Sequence, residues 1–218
     1  MNKKSLLLIG NGKMGSGFIN TFRHLFEITI VSPNTKPAFE CQYFSCLTQV
    51  TTHKDFIIFA VKPYQIKDVI QLLSPKAYNE NTKVISLIAG AKTQFFLENL
   101  NSKPQIYLCM PNLPVKSGNG VVAVFGPEKL DFLESLGVVV YCKKEEDIDK
   151  FTSVVGSGSG FVFHLLSAYQ KAAQGLDLGE EVDSQRLVLN LFEGTLQMAK
   201  LRMEKGNSRF GNKNKTKI

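Results

Sequence analysis

The chain has 218 residues, 44% of them hydrophobic and 21% charged, and a formal net charge of +7. That is the profile of an ordinary globular protein of one large domain or two modest ones, and no uninterrupted apolar run reaches the roughly 18 residues of a membrane span. Five of the seven net charges sit in the last 14 residues, which hold Lys205, Arg209, Lys213, Lys215 and Lys217 and no acid, so the remainder carries only +2 and no nucleic-acid surface is expected.

The basic start from Met1 to Ser5, with a short apolar run behind it, has the outline of a signal peptide. Gly10, Asn11, Gly12 and Lys13 cut that run off too early, so it reads as the first strand of a cytoplasmic protein. The strand covers residues 5–10, and a helix follows over 13–25. Residues 28–32 are a second, β-branched strand, and Ser-Pro-Asn-Thr-Lys-Pro after it is a loop. A third strand, wholly apolar, spans 56–61. A short amphipathic helix covers 64–73, a fourth strand 84–88 and another helix 93–100. Residues 105–109, 121–125 and 137–142 read as three more strands. Strands that are apolar throughout need cover on both faces. Their alternation with helices predicts an α/β fold of the Rossmann type, a parallel sheet doubly wound with helices.

After residue 150 the pattern changes. Residues 161–203 hold no proline and no strand-like alternation. Phe161, Leu165, Leu166 and Tyr169 recur at helical spacing, and so do Leu187, Leu189, Leu191, Leu196 and Met198. Helices this apolar need a surface to pack on, either the first domain or a second subunit. The expected organisation is a dinucleotide-binding domain over 1–150, a small and incomplete all-helical domain over 151–205, and a disordered polar tail over 206–218.

Gly10-Asn11-Gly12-Lys13-Met14-Gly15 fits G-x-G-x-x-G between a strand and a helix. The first glycine permits a tight turn, the second lets backbone approach a pyrophosphate, and the third lets helix lie close to strand. The helix N-terminus then offers free N–H groups to the phosphates. A purely structural bend is the competing reading. The end of the second strand bears on the choice of cofactor. An NAD site there has an acid for the ribose 2′-hydroxyl, whereas this chain has Ser32, Asn34, Thr35 and Lys36, with no acid before Glu40. Such donors suit a 2′-phosphate and favour NADP, with NAD possible; they also suit a solvated turn. Cys41, Cys46, Cys109 and Cys142 are not paired as metal ligands and read as small, reduced hydrophobes. His24, His53 and His164 are isolated, so no metal site is expected. No nucleophile–base pair is evident, and no catalytic side chain is identified.

Further motifs accumulate in order: Ala60-Val61-Lys62-Pro63, Ser86-Leu87-Ile88-Ala89-Gly90, Met110-Pro111-Asn112-Leu113-Pro114, Gly118-Asn119-Gly120 and Gly156-Ser157-Gly158. The series resembles the pyrroline-5-carboxylate reductase family from residue 5 to about 203. The resemblance implies an NADP-preferring reductase that turns the cyclic imine 1-pyrroline-5-carboxylate into L-proline, a homo-oligomer with no membrane or nucleic-acid partner. It implies that the glycine turn, Gly10 to Gly15, holds the dinucleotide phosphates. Ala60, Val61, Lys62 and Pro63 lie along the nicotinamide half, with Ala89 and Gly90 beside it. Met110, Pro111 and Asn112 line the substrate cleft, and Gly156, Ser157 and Gly158 form the turn that leads into the substrate and dimer domain. Lys62 also reads as a solvated strand end, and Met110–Pro114 as a loop that matters by shape alone.

The chain departs from the family at several of these places. Leu108 stands for an arginine, Leu113 for a threonine, Asn119 for a glutamate, Ser159 and Gly160 for Pro-Ala, and Ser167 for a glutamate. The family's S-P-G-G-T-T segment, which holds the substrate carboxylate and completes a swapped dimer, has no counterpart. The expectation is therefore a relative truncated at the C-terminus. It is either a reductase, or a non-catalytic relative that binds only the dinucleotide, or another imine or hydroxyacid reductase.

Overall fold

The computed structural model describes residues 3–34, 36–176 and 183–205. The chain divides into two compact units, Met1–Ser159 and Gly160–Ile218. The tail expected over 206–218 lies outside the described residues, as does Thr35.

The first unit is built on an eight-stranded sheet, β1 (Lys4–Ile9), β2 (Phe26–Val31), β3 (Gln42–Phe44), β4 (Phe56–Phe59), β5 (Lys83–Ser86), β6 (Gln105–Pro111), β7 (Gly120–Phe125) and β8 (Gly137–Tyr141), in the order β3-β2-β1-β4-β5-β6-β7-β8. The chain winds outward from β1 in one direction, then returns to β4 and winds in the other. Leu6 and Leu8 of β1 pair with Ile28 and Ile30 on one side and with Phe56 and Ile58 on the other, all in parallel. The central strands are apolar throughout because both faces are covered. On one face Leu6 and Leu8 pack with Phe18, Ile19 and Phe22 of α1 (Lys13–Phe22). On the other, Leu7 and Ile9 pack with Ile70 of α2 (Ile66–Leu72) and Phe96 of α3 (Thr93–Asn99). The first face also carries an aromatic cluster in which Phe22, Phe26 and Phe56 each meet Phe132 edge to face, with ring centroids 5.0–5.4 Å apart.

The sheet differs from the expected all-parallel one at a single pairing. β7 runs antiparallel to β6, with Met110 opposite Ala123. Only a short 3-10 turn over Leu113–Ser117 connects them, and a parallel crossover needs a dozen or more residues, so the strand must return as a hairpin. β3 has no counterpart in the sequence reading. Its three residues, Gln-Tyr-Phe, are too few to show a period. The first helix ends at Phe22, short of residue 25, where the Leu25 amide bonds back to the Phe22 carbonyl and turns the chain into β2.

The turn expected at Gly156, Ser157 and Gly158 is helix instead. α4 (Glu146–Phe151) passes through a π-turn over Thr152–Gly156 into α5 (Gly158–Gln174). The hydroxyl of Thr152 donates to the Ile148 carbonyl at 2.7 Å, and the Ser157 amide donates to the Thr152 carbonyl at 3.0 Å. These bonds carry the helix across two glycines that would otherwise weaken it. The helical stretch Glu146–Gln174 is 29 residues long and, by length and composition alone, apolar enough to cross a bilayer. Gly, Ser and His residues interrupt it, so no unbroken apolar run marks it in the sequence.

In the second unit α5 is followed by α6 (Ser184–Glu204), which Asp183 caps by accepting from the Gln185 and Arg186 amides at 2.9 and 3.2 Å. Tyr169 and Phe192 pack edge to face between these helices, with centroids 5.2 Å apart. Among the described residues of this unit only Ala173 and Val188 are buried, while Phe161, Leu189, Leu191, Leu196 and Met198 are exposed.

Candidate functional site

In a doubly wound sheet the crevice opens at the carboxyl ends of the strands, where the winding reverses. Here that point lies between β1 and β4. Gly10 follows β1 with φ +97°, and a Cβ there would stand 2.7 Å from the carbonyl oxygen of Ala60, which follows β4. Only glycine fits both the dihedral and the space. The Gly10 amide bonds to the Val31 carbonyl and the Ala60 amide to the Ile9 carbonyl, at 2.9 and 2.8 Å, so three strand ends are tied into one rim. α1 rises from this rim. Gly12 is its N-cap, and no side chain caps it. Gly15 packs the helix against the rim, since a Cβ there would come 2.2 Å from the Gly10 carbonyl oxygen. Gly12 is different, because nothing in the protein lies within 4 Å of where its Cβ would be.

The rim encloses a cavity of about 630 Å³. Gly10, Asn11, Gly12, Lys13 and Met14 line it from the turn, Ser32, Pro33 and Asn34 from the end of β2, and Ala60, Val61, Lys62, Pro63 and Gln65 from the end of β4. Leu87, Ile88 and Ala89 line it after β5, and Leu113 after β6. No carboxylate is among these lining residues. The Gln65 side chain accepts from the Lys62 amide at 3.1 Å and holds the bend after β4. Gly90, with φ +75°, lets the chain turn between Ile88 and Ala91, whose amide bonds the Ile88 carbonyl at 3.2 Å.

The structure thus gathers most residues that the sequence marked, and sets a few apart. Gly15 lies behind the cavity as a packing glycine. Lys36 and Gly90 are exposed near strand ends and do not line it. Met110, Pro111 and Asn112 also stand apart from its wall. Asn112 is committed to the hairpin: its side-chain oxygen accepts from the Val121 amide at 2.9 Å, and its own amide donates to the Val121 carbonyl at 3.1 Å. Gly156 adjoins this strand end, its would-be Cβ standing 3.8 Å from the Met110 side chain. Gly158 has open space, and Ser157 is exposed beside it. Pro33, Gln65, Leu87, Ile88 and Leu113 were not singled out from sequence as wall residues, although Leu87, Ile88 and Leu113 lie inside motifs that were quoted, Pro33 adjoins Ser32 and Gln65 lies two residues past Pro63.

α4 is clamped to the start of α3 near this rim. The Lys92 ammonium meets Asp149 at 2.8 Å, and Glu145 accepts from the Thr93 amide at 3.2 Å. The hydrogen bond to Asp149 pushes the Lys92 pKa above its ordinary value. A larger groove, about 810 Å³, lies at the opposite, amino end of β1 and β2 between Arg23, His24, Glu27 and Glu40. It is open and polar, and the C-terminal end of α1 with its following turn, Arg23 and His24, lines it. Among the described residues no cluster of His, Cys, Asp and Glu is arranged to hold a metal ion.

Residues 5–90 match the family model described as NADP oxidoreductase coenzyme F420-dependent, and residues 145–211 match the one described as pyrroline-5-carboxylate reductase dimerisation. The chain is 32% identical over 154 residues to a pyrroline-5-carboxylate reductase of Staphylococcus haemolyticus, which covers 66% of this chain and 55% of that protein. It is 25% identical over 219 residues to the pyrroline-5-carboxylate reductase of Haemophilus influenzae, covering 91% of this chain and 79% of that one. The chain therefore spans a little over half the length of the first curated relatives it matches. A crystal structure of Plasmodium falciparum pyrroline carboxylate reductase with NADP bound superposes with a TM-score of 0.77 at 24% identity, covering 97% of this chain and 86% of that one. At that identity the superposition establishes a shared fold.

Proposed function

We propose that the chain belongs to the pyrroline-5-carboxylate reductase family and is an NADP-preferring reductase of 1-pyrroline-5-carboxylate to L-proline. The observation that carries this reading is the acid-free cavity at the N-terminus of α1. Its donor set fits the cofactor. Gly12 leaves backbone open where a pyrophosphate would approach, and the first-turn amides of α1 are unpaired within the helix. Ser32 and Asn34 line the wall where a 2′-phosphate would sit, with Lys36 beyond them, and no carboxylate among the lining residues repels it.

When bound, NADPH supplies the hydride. The chain's own groups position and shield. Ala60, Val61, Lys62 and Pro63, with Ala89, flank the half of the cavity away from Ser32 and would seat the nicotinamide. Met110, Pro111 and Asn112, with Gly156, Ser157 and Gly158, stand outside the cavity wall and would border the approach of the imine in this reading. The reaction asks little of side chains: the imine nitrogen arrives protonated, its carbon takes the hydride, and the C=N bond becomes a secondary amine. Position and electrostatics supply the catalysis.

In this reading residues 1–150 are the dinucleotide domain and 151–205 the dimerisation domain, in a cytoplasmic homo-oligomer. The exposed Leu189, Leu191, Leu196 and Met198 support a partner subunit, and the free thiols of Cys41, Cys46, Cys109 and Cys142 support a reducing compartment. The test is NADPH oxidation on adding 1-pyrroline-5-carboxylate. Turnover that needs both reactants and yields proline supports the proposal; an enzyme that binds NADPH and never consumes it with the imine refutes it.

A further inference from the structure

β3 is the shortest strand of the sheet and lies at its edge, beside β2, whose last residue Val31 is followed by Ser32. Both main-chain groups of Ser32 are tied to it. The Ser32 amide donates to the Phe44 carbonyl at 3.1 Å and extends the parallel ladder by one residue beyond Val31. The Ser32 carbonyl accepts from the phenol of Tyr43. Tyr43 pairs with Ile30 in register, and its ring packs, half-buried, in the apolar layer beneath α1. From there the hydroxyl reaches toward the carboxyl end of β2.

Ser32 is followed by Pro33. Proline fixes its own φ and confines the residue before it to extended conformations. Within that extended range the ψ angle of Ser32 still varies and sets where its carbonyl points. A hydroxyl that holds that carbonyl therefore selects the direction in which Pro33 and Asn34 leave the sheet. Ser32, Pro33 and Asn34 all line the cavity, whereas Tyr43 does not. Ser32 is only 5% exposed, so its hydroxyl has little room to compensate if the peptide turns.

We propose that Tyr43 is a positioning residue for cofactor choice: its phenol fixes the Ser32 peptide and so aims the Ser32–Asn34 donors at the 2′-phosphate that distinguishes NADPH from NADH. This rests on the proposed NADP preference of the same cavity. The pyrophosphate and nicotinamide portions are held by other elements, the α1 turn and the ends of β4 and β5. Loss of the phenol thus costs NADPH and spares NADH.

The experiment measures dissociation constants of Tyr43→Phe and the wild-type chain for NADPH and NADH, with 2′,5′-ADP against 5′-AMP as adenosine-half probes. One lost hydrogen bond predicts that NADPH and 2′,5′-ADP weaken by about fivefold, while NADH and 5′-AMP stay within about twofold. A Tyr43→Phe protein that keeps the wild-type NADPH-to-NADH ratio overturns the proposal, and so does one that weakens both cofactors equally, since a purely structural role would act on both. A wild-type chain with no preference between the cofactors overturns the NADP reading itself. The adenosine probes need only the first unit's cavity, so the comparison holds even if hydride transfer is slow.

Discussion

A Cβ on Gly15 would stand 2.2 Å from the carbonyl oxygen of Gly10, whereas one on Gly12 would meet nothing within 4 Å. The glycines of one motif therefore serve different ends. Gly15→Ala drives a methyl into backbone that β1 and β4 hold in place. Such overpacking costs about 1–3 kcal/mol, which lowers the melting temperature by roughly 3–10 °C. Calorimetry measures this directly, and an unchanged melting temperature would show that α1 shifts freely on the sheet.

Gly12→Val should do the reverse. Gly12 has φ −75° and ψ −174°, ordinary extended backbone open to any residue. The fold should survive, with a melting temperature within about 2 °C of wild type. The branched side chain would occupy the space a pyrophosphate needs, so NADPH affinity should fall at least ~10-fold, about 1.4 kcal/mol. A folded variant with wild-type affinity in a fluorescence titration would place the phosphates elsewhere.

Asn34→Asp replaces an amide by a carboxylate of the same shape on the cavity wall. Asn34 is exposed, so the fold should not notice. A 2′-phosphate nearby would, through like-charge repulsion. NADPH should weaken by about tenfold and NADH by no more than about twofold at low salt, and added salt should shrink the difference. Equal effects on the two cofactors would remove Asn34 from the 2′ position.

Asp55 makes acid stability testable far from the cavity. It accepts from the Ser5 amide and hydroxyl at 2.8 and 2.7 Å. Partial burial pushes its pKa up, but the Ser5 hydrogen bonds, with His53 and Lys4 nearby, outweigh it and hold the carboxyl below its ordinary value. A depressed acid stabilises the fold above its unfolded pKa, near 4, and loses that contribution as pH falls through the folded pKa. Asp55→Asn should therefore destabilise the fold at neutral pH by about 1–3 kcal/mol, and the gap from wild type should narrow below about pH 4. Denaturant melts across that range decide it; a gap that stays constant would mean the carboxylate's charge is irrelevant.

Much of this architecture was legible in the sequence because the central strands are buried on both faces. Leu6 to Ile9 and Phe56 to Phe59 could hardly be anything else, and the G-x-G-x-x-G spacing placed the turn between strand and helix. What escaped the reading was governed by geometry at a distance. β3 is three residues held by pairing with β2, and nothing local marks Gln42 or Tyr43 as strand. The antiparallel course of β7 follows from the shortness of the link after β6, which an apolar run does not reveal. Gly156 and Gly158 read as a break, yet the Thr152 carbonyl carries a π-turn across them. Among the cavity residues, Gln65 lines the wall just past the Ala60–Pro63 motif and Leu113 within the Met110–Pro114 motif because the chain bends at both places, and a bend's direction is set by packing that no single stretch encodes.

The most direct test of the site is a crystal structure of the chain grown with NADP. The account predicts the pyrophosphate against the Gly12 backbone at the N-terminus of α1, the 2′-phosphate beside Ser32 and Asn34, and the nicotinamide between Val61 and Ala89. Density for the dinucleotide in the groove between Arg23 and Glu40 at the other end of the sheet, or a cavity at the β1–β4 switch left empty at saturating cofactor, would contradict it.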